Sequence, residues 1–227
     1  MKVLLILLLF ISPIRQVEYS RLQFSSPQHH IFQDYVNENF SQKIKTHRHR
    51  VVVETQNLNF SQLDLSFIVI LDQRYLFTLD SRLGTLARQL FREGITLNEY
   101  VSNLSRYLKG NIRYSDQDSL QDSISVLTRG QANCVGYSNL THDLLKAVGV
   151  RSQFVKGFYL EARQGSRLNP IPHKWLEICL SDRCKFFYDP QHQSFSSTYM
   201  VVENGVDFTR IKKFEVLLIE KEVKMLN

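Results

Sequence analysis

The chain has few of the residues that build metal modules or long apolar helices. Its 227 residues include three cysteines, and no two of these form a Cys-x-x-Cys pair. A zinc site made from the cysteines and His173 is therefore not expected. The longest apolar run, residues 3–11, has nine residues, whereas a membrane-spanning helix needs roughly 20. What remains is an ordinary globular composition with 43% hydrophobic residues.

The apolar run follows Met1-Lys2 and precedes Ser12-Pro13, an arrangement typical of a signal-peptide core. We predict that residues 1–15 are a signal peptide or N-terminal anchor, and that the protein is exported to the periplasm or secreted. No small-x-small cleavage site follows the run. An uncleaved anchor or a buried N-terminal strand therefore stays open, as does envelope or membrane association through the N-terminus.

Positive charge is moderate and concentrated. The formal net charge is +6, and residues 43–50, Lys-Ile-Lys-Thr-His-Arg-His-Arg, hold much of the local excess. Such a run can bind nucleic acid or anionic polymers, but it contains no interleaved aromatic residue and no recognition motif. We interpret it as a solvated linker and predict no nucleic-acid partner.

The pattern of apolar residues predicts an α+β protein in which a helical first half precedes an antiparallel sheet. We interpret residues 16–80 as an N-terminal lead-in, loosely packed or tethering up to residue 50, and residues 81–227 as the main domain. Strand-like segments and helical periodicities follow one another in this order: strands at 51–53, 63–71 and 76–79; helices at 81–92, 96–109 and 118–128 and another from Cys134 to Gly149; strands at 150–158, 173–180, 184–189 and 214–219; and a turn at Asn204-Gly205.

Cys179 and Cys184 flank a polar turn of four residues between two strand-like segments. In an oxidising compartment they are the natural disulfide pair across a hairpin, which leaves Cys134 free. Three buried thiols in a cytosolic protein are the alternative.

Cys134 lies where a helix is predicted to begin, with Asn133 as its N-cap. A helix N-terminus favours thiolate over thiol and supplies unpaired N–H groups for an oxyanion. A buried structural cysteine is the ordinary alternative, but the helix-disfavouring Gly136 and the polar residues 130–133 argue against it. His173 begins one strand and Asp189 ends the next, so an imidazole and an orienting carboxylate are available.

The hairpin geometry makes this trio conditional. If Cys179 lies opposite Cys184 in a regular ladder, Asp189 lies opposite Lys174, and His173 and Asp189 point to different faces. We therefore predict a β-bulge, near Phe186-Phe187, that returns both side chains to one face.

Three segments in order resemble the transglutaminase-like superfamily over about residues 96–192. They are the run from Ser119 through Gln-Ala-Asn-Cys134-Val-Gly-Tyr, the segment His173-Lys-Trp-Leu-Glu177, and Tyr188-Asp189-Pro190. The resemblance implies a papain-like, transglutaminase-core fold with Cys134 as nucleophile, His173 as general base and acid, and Asp189 as orienting residue. Asn133, Val135 and Lys174 depart from the residues common in the family, which affects the expected substrate preference more than the triad.

The expected activity is acyl transfer on peptide or protein amides through a thioester on Cys134, without cofactor or metal. No acidic loop dense enough for the calcium sites of animal transglutaminases is present. Hydrolysis of the thioester by water would make the protein a cysteine protease or amidase. A catalytically inactive binding domain of the same fold is a further alternative, and the intact trio argues against it.

Overall fold

The structure, a computed structural model, describes nine segments of the chain. These are residues 15–58, 65–117, 120–162, 165–180, 183–193, 196–202, 206–208, 211–212 and 214–226. The apolar run of the predicted signal peptide and the predicted turn at Asn204-Gly205 lie outside the described residues.

A nine-stranded sheet dominates the described part of the chain, in the order β10-β7-β8-β11-β1-β4-β3-β2, with β9 paired to β8. A separate parallel pair joins β5 and β6. The strands are β1 Arg15–Ser25, β2 Tyr35–Val36, β3 Phe40–His47, β4 Arg50–Leu58, β5 Arg113–Tyr114, β6 Gln131–Ala132, β7 Arg151–Ala162, β8 Arg167–Leu180, β9 Arg183–Tyr188, β10 Tyr199–Val201 and β11 Val216–Leu226.

The helices are the 3-10 turn His29–Ile31, α1 Gln73–Thr78, α2 Ser81–Leu90, α3 Leu97–Asn111, α4 Ser123–Arg129 and α5 Cys134–Ala147. Four of the helices, α2 to α5, follow the predicted periodicities with shorter or shifted ends, whereas the 3-10 turn and α1 were not predicted. Thr96 and Glu99 form the reciprocal capping box expected at the start of α3. Gly130 ends α4 with a φ of 63°, a conformation that glycine adopts without steric cost. Among the described residues, every helix is too short or too polar to cross a bilayer.

Predictions for residues 16–50 and 76–79 are wrong. Residues 76–79 end a helix instead of forming a strand, because the Asp72 side chain accepts hydrogen bonds from the N–H groups of Arg74 and Tyr75 and so starts α1. Residues 16–50, predicted as a loosely packed or tethering lead-in, are sheet strands for the most part, because buried Val17, Leu22 and Phe24 are interspersed with polar side chains along β1.

Of the predicted strand 63–71, the part up to residue 64 lies outside the described residues. The remainder contributes one isolated bridge, between Ile68 and Thr96. The long strand expected there is therefore not formed in the described part.

Strand β8 separates two packed cores. Leu176 and Ile178 pack with the helices, whereas Trp175 on the opposite face packs with Phe40, Phe187 and other aromatic or apolar side chains. This is the two-faced alternation that the sequence predicts for residues 173–180. Side chains of β8 therefore contact the helices on one face of the sheet and the aromatic cluster around Trp175 on the other.

The sheet curls until its two ends meet. The Gln42 amide on β3 donates to the carbonyl of Val201 on β10 at 2.9 Å and accepts from the Val201 N–H at 2.9 Å. A bridge between Phe32 and Val202 lies nearby. The strands of residues 15–58 thus belong to the same sheet as those that follow Cys134.

Gly157 on β7 marks a close approach between strands. A Cβ atom at this position would lie 2.0 Å from the carbonyl oxygen of Met200 and 2.5 Å from the Trp175 ring. We expect Gly157→Ala to lower the free energy of unfolding by about 3 kcal/mol, the upper part of the range for overpacking. Urea denaturation measures this change.

Gly110 provides the matched control for this substitution. It lies in α3 with nothing within 4 Å of the added Cβ, so Gly110→Ala should stabilise by up to about 1 kcal/mol. Equal effects of the two substitutions would show that the contacts at Gly157 are not tight.

Candidate active site

Cys134 is the first residue of α5, and Asn133 caps this helix. The Asn133 side-chain oxygen accepts from the N–H of Val135 at 2.9 Å and of Gly136 at 3.4 Å. A larger residue does not fit two positions after the cysteine, because a Cβ at Gly136 would lie 2.9 Å from Ala132 Cβ and 2.4 Å from the side-chain oxygen of Gln121. That same oxygen accepts from the Asn133 N–H at 3.1 Å, so it holds the start of the helix in place.

His173 and Asp189 meet as the bulge prediction requires. Ile178 pairs with Phe186 but Cys179 pairs with Cys184, so Lys185 is the extra residue in β9. The bulge therefore lies one residue before the predicted position. Beyond it the register brings Asp189 opposite Trp175, on the face that His173 shares, and His173 Nε2 lies 2.7 Å from Asp189 Oδ2.

The Asp189 carboxylate is fully buried and receives several hydrogen bonds. Besides His173, the Oδ2 atom accepts from the Tyr199 hydroxyl at 2.5 Å and contacts Nδ1 of His192 at 2.7 Å. The Oδ1 atom accepts from the N–H of Gln191 at 2.9 Å. Burial alone would raise the pKa of Asp189, but the hydrogen bonds from both imidazoles outweigh it and hold the pKa well below its usual value.

His173 occupies the centre of the group. Its Nε2 atom faces Asp189, and a hydrogen bond joins the imidazole to the Cys134 thiol. Burial lowers the pKa of His173, but the hydrogen bonds to Asp189 and Cys134 have the larger combined effect and raise the pKa to about 9. The imidazolium form is thus favoured at neutral pH, next to the sulfur atom.

The structure brings Cys134, His173 and Asp189 together. Two further residues of this site, His192 and Tyr199, were not predicted. His192 follows Asp189 by three residues in a turn, and this spacing is the one sequence signal that pointed to it. Tyr199 comes from β10, and no local pattern links it to Asp189.

His173, Asp189 and His192 offer three possible metal-ligand atoms within 4.8 Å of one another. Two of the separations, His173 to Asp189 and His192 to Asp189, are 2.7 Å. Ligand atoms around a tetrahedral zinc ion lie about 3.3 Å apart, given bonds of about 2.0 Å. The cluster is therefore closed by hydrogen bonds, and a metal ion would require its side chains to separate.

The hydrogen-bonded ion pair also makes stability depend on pH. His173 has a pKa raised from 6.5 to about 9 in the folded protein, so its contribution is fully present below about pH 6.5 and lost as the pH rises through about 9. Asp189 has a lowered pKa, so its contribution is lost only as the pH falls through that lowered value. We expect the melting temperature of the wild type to fall between about pH 6.5 and 9 more than that of His173→Ala. If the melting temperatures of the two proteins fall equally, the pKa of His173 is not raised in the folded protein.

Asn39 holds β9 from the side of the N-terminal strands. Its buried amide donates to the carbonyl of Phe187 at 3.1 Å and accepts from the Phe187 N–H at 2.8 Å, two residues before Asp189. Asn39→Ala removes both of these hydrogen bonds, and we expect a loss of about 2 kcal/mol in the free energy of unfolding. Asn98→Ala, at an exposed asparagine of α3, should change it by less than about 0.5 kcal/mol. Chemical denaturation measures the free energy of unfolding of both variants. If both substitutions change it by a similarly small amount, Asn39 does not hold β9.

Residues 84–190 match the family model of the transglutaminase-like superfamily, which confirms the resemblance seen in the sequence. A comparison with curated protein sequences finds no significant match.

Solved structures show distant similarity. A candidate cysteine protease from Cytophaga hutchinsonii is 10% identical, with 94% of this chain and 91% of that chain covered and a TM-score of 0.48. The periplasmic domain of TgpA from Pseudomonas aeruginosa is 13% identical, with 79% and 88% covered and a TM-score of 0.43. A structure described as a TGase is 14% identical, with 66% and 43% covered and a TM-score of 0.39. Similarities this distant do not bear on activity.

Proposed function

Because residues 84–190 form a transglutaminase-like core, we propose that the protein is an exported cysteine enzyme that transfers acyl groups from peptide or protein amides. One observation carries this proposal. His173 is hydrogen-bonded to Cys134 on one side and to the buried Asp189 on the other, which is the arrangement that activates a thiol for attack on a carbonyl.

The first half of the reaction forms a thioester. The Cys134 thiolate attacks the carbonyl carbon of the amide, and the C–N bond breaks when the His173 imidazolium donates its proton to the departing nitrogen. Asp189 holds the His173 ring in position and stabilises its charged form. Ammonia or an amine leaves, and the acyl group stays on sulfur.

The oxyanion has a specific donor within this arrangement. Asn133 already occupies the N–H groups of Val135 and Gly136. The Cys134 N–H, by contrast, forms no hydrogen bond with any residue that the structure describes. We assign this N–H to the developing oxyanion.

The second half returns the acyl group to an acceptor. His173 removes a proton from an incoming amine, the nitrogen attacks the thioester, and the Cys134 thiolate leaves. Water in place of the amine gives a carboxylic acid, so a cysteine protease or amidase is the second candidate. An inactive binding domain of the same fold is the third, but such a domain would have no chemical need for a buried carboxylate behind an imidazole next to a thiol.

Incubation with a glutamine-containing peptide and a fluorescent primary amine distinguishes these candidates. Covalent incorporation of the amine supports transfer, peptide cleavage or deamidation supports hydrolysis, and Cys134→Ala should abolish either one. No reaction over a broad panel of peptides, or equal reaction with Cys134→Ala, would overturn the enzyme proposal.

Export and a hairpin disulfide complete the proposal. Cys179 and Cys184 are register partners across the β8–β9 hairpin, a position from which a disulfide can form. Mass spectra of the protein recovered from a periplasmic or secreted fraction, taken with and without reduction, test export and the disulfide together. A mass two hydrogens lower without reduction, in the peptides that contain Cys179 and Cys184, supports both proposals.

A further inference from the structure

A basic patch lies on the face of the sheet that packs against α5. It consists of Phe154 and Lys156 on β7 and Lys174 on β8. Lys156 and Lys174 are directly opposite in the antiparallel register, and directly opposite residues share a face. Lys174 immediately follows His173, which is hydrogen-bonded to Cys134.

The Lys174 amine is fixed and partly removed from water. It donates to the side-chain oxygen of Asn139 at 3.0 Å and lies 3.5 Å from the centroid of the Phe154 ring. Asn139 is itself held, because its amide donates to the carbonyl of Gln121 at 2.9 Å. The pKa of Lys174 is lowered to about 8, mainly by burial. The charge of Lys156 also lowers this pKa, and the nearby Cys134 opposes both effects.

Two like charges lie next to each other on this face of the sheet. Like charges directly opposite each other in a sheet are destabilising, and a half-buried ammonium loses part of its hydration. Neither Lys156 nor Lys174 forms an ion pair with any of the residues that the structure describes. A bound anion between the two amines would compensate both effects.

Resting on the function proposed above, we propose that the basic patch is a substrate subsite that binds a carboxylate of the acyl donor, so that peptides carrying this carboxylate are the preferred substrates. The substrate is an amide of a peptide or protein, and the anion that such a molecule carries is a carboxylate. The half-exposed Phe154 ring supplies an apolar surface beside the two amines for the rest of the peptide chain. The carboxylate belongs either to an acidic side chain or to the peptide C-terminus.

Peptide binding to the Cys134→Ala protein tests the subsite without turnover. The probes are acetylated peptides at about pH 7 that differ only in Glu or Ala beside the target glutamine, each with an amidated C-terminus, and the Ala peptide with a free C-terminus. We expect one carboxylate-bearing peptide to bind about fivefold more tightly than the amidated Ala peptide. Tighter binding of the Glu peptide identifies an acidic side chain as the source of the carboxylate, and tighter binding of the Ala peptide with a free C-terminus identifies the C-terminus.

Substitution of the lysines assigns the preference to the patch. Lys174→Met in the same background should reduce the affinity ratio to about one, and Lys156→Met should reduce it to about two. Lys109→Met, at an exposed lysine of α3, should retain the full ratio, and melting curves check that each variant is folded. A ratio of about one before substitution, undetectable binding at about 1 mM, or a ratio unchanged by Lys174→Met would overturn the subsite.

The binding result is independent of the result for the proposed function. If the carboxylate preference is present but the wild type neither incorporates amines nor hydrolyses peptides, the enzyme proposal fails and the subsite stands. If turnover occurs with equal kcat/KM for the acidic and neutral peptides and binding shows no preference, the subsite fails and the enzyme proposal stands.

Discussion

Replacing His173 with alanine is expected to slow alkylation of Cys134 by iodoacetamide about tenfold at pH 6. In the wild type, the His173 imidazole lies next to the sulfur and Asp189 holds it there, which is the arrangement that activates a thiol. An ordinary thiol, with a pKa of about 8.5, is less than about 1% ionised at this pH, and its higher intrinsic nucleophilicity compensates only in part. Peptide mapping by mass spectrometry measures modification of Cys134 separately from the other two cysteines.

His47→Ala, at an exposed histidine near the β3–β4 turn, is the control and should leave the rate within about twofold. At about pH 9.5 the rates of the wild type and His173→Ala should converge, because the thiol ionises without help there. If His173→Ala reacts as fast as the wild type at pH 6, the imidazole does not activate the thiol.

Asp189→Asn is expected to lower kcat/KM by at least about 100-fold in the reaction the protein performs. The reason lies in the hydrogen bonds on both carboxylate oxygens. One oxygen receives His173, His192 and Tyr199, and the other receives the Gln191 N–H. In either orientation, the amide NH₂ of asparagine faces donors, so it cannot hold the imidazole as the carboxylate does.

The same substitution is expected to lower the free energy of unfolding by about 2–3 kcal/mol, because buried donors lose their acceptor. Asp34→Asn, at an exposed aspartate whose oxygen accepts from the Ile44 N–H, keeps an acceptor and should change both quantities little. Steady-state kinetics and chemical denaturation of the two variants provide the comparison. A wild-type kcat/KM for Asp189→Asn would remove Asp189 from the mechanism.

The sequence was most informative where local chemistry determines structure. Asn133 before Cys134 predicts the start of α5, since a cap acts through its own side chain on the next turn. The bulge in β9 was predictable for a different reason: the register of two cysteines was incompatible with the face shared by His173 and Asp189. The observed bulge at Lys185 lies one residue before the predicted position, although no residue propensity in this segment indicates a bulge.

The predictions that were wrong, and the site residues that were missed, also have physical explanations. Residues 16–50 resemble a polar tether in the sequence because the buried polar side chains of their strands form hydrogen bonds with distant partners. Ser20, for example, bonds the hydroxyl of Ser197 at 2.7 Å. Residues 76–79 are a short apolar segment whose helix depends on the cap at Asp72. Tyr199 reaches Asp189 from another strand, and no sequence spacing encodes a contact between elements.

Lys174 illustrates how a departure from the family pattern acquires meaning in three dimensions. In the sequence it is an unusual residue after His173. In the structure its amine is held by Asn139 and lies against Phe154, on the same face as Lys156. The departure is thus part of a defined surface on the strand that carries His173, and the proposed subsite gives it a consequence for substrate choice that can be measured.

The central claim is that Cys134 carries the acyl group during turnover. Intact-protein and peptide mass spectrometry after rapid acid quench, during reaction with a turned-over peptide, tests it most directly. We expect an adduct with the mass of the acyl group on Cys134, released by hydroxylamine and absent from Cys134→Ala. Turnover with no such adduct under any quench condition, or an adduct that persists in Cys134→Ala, would contradict the claim.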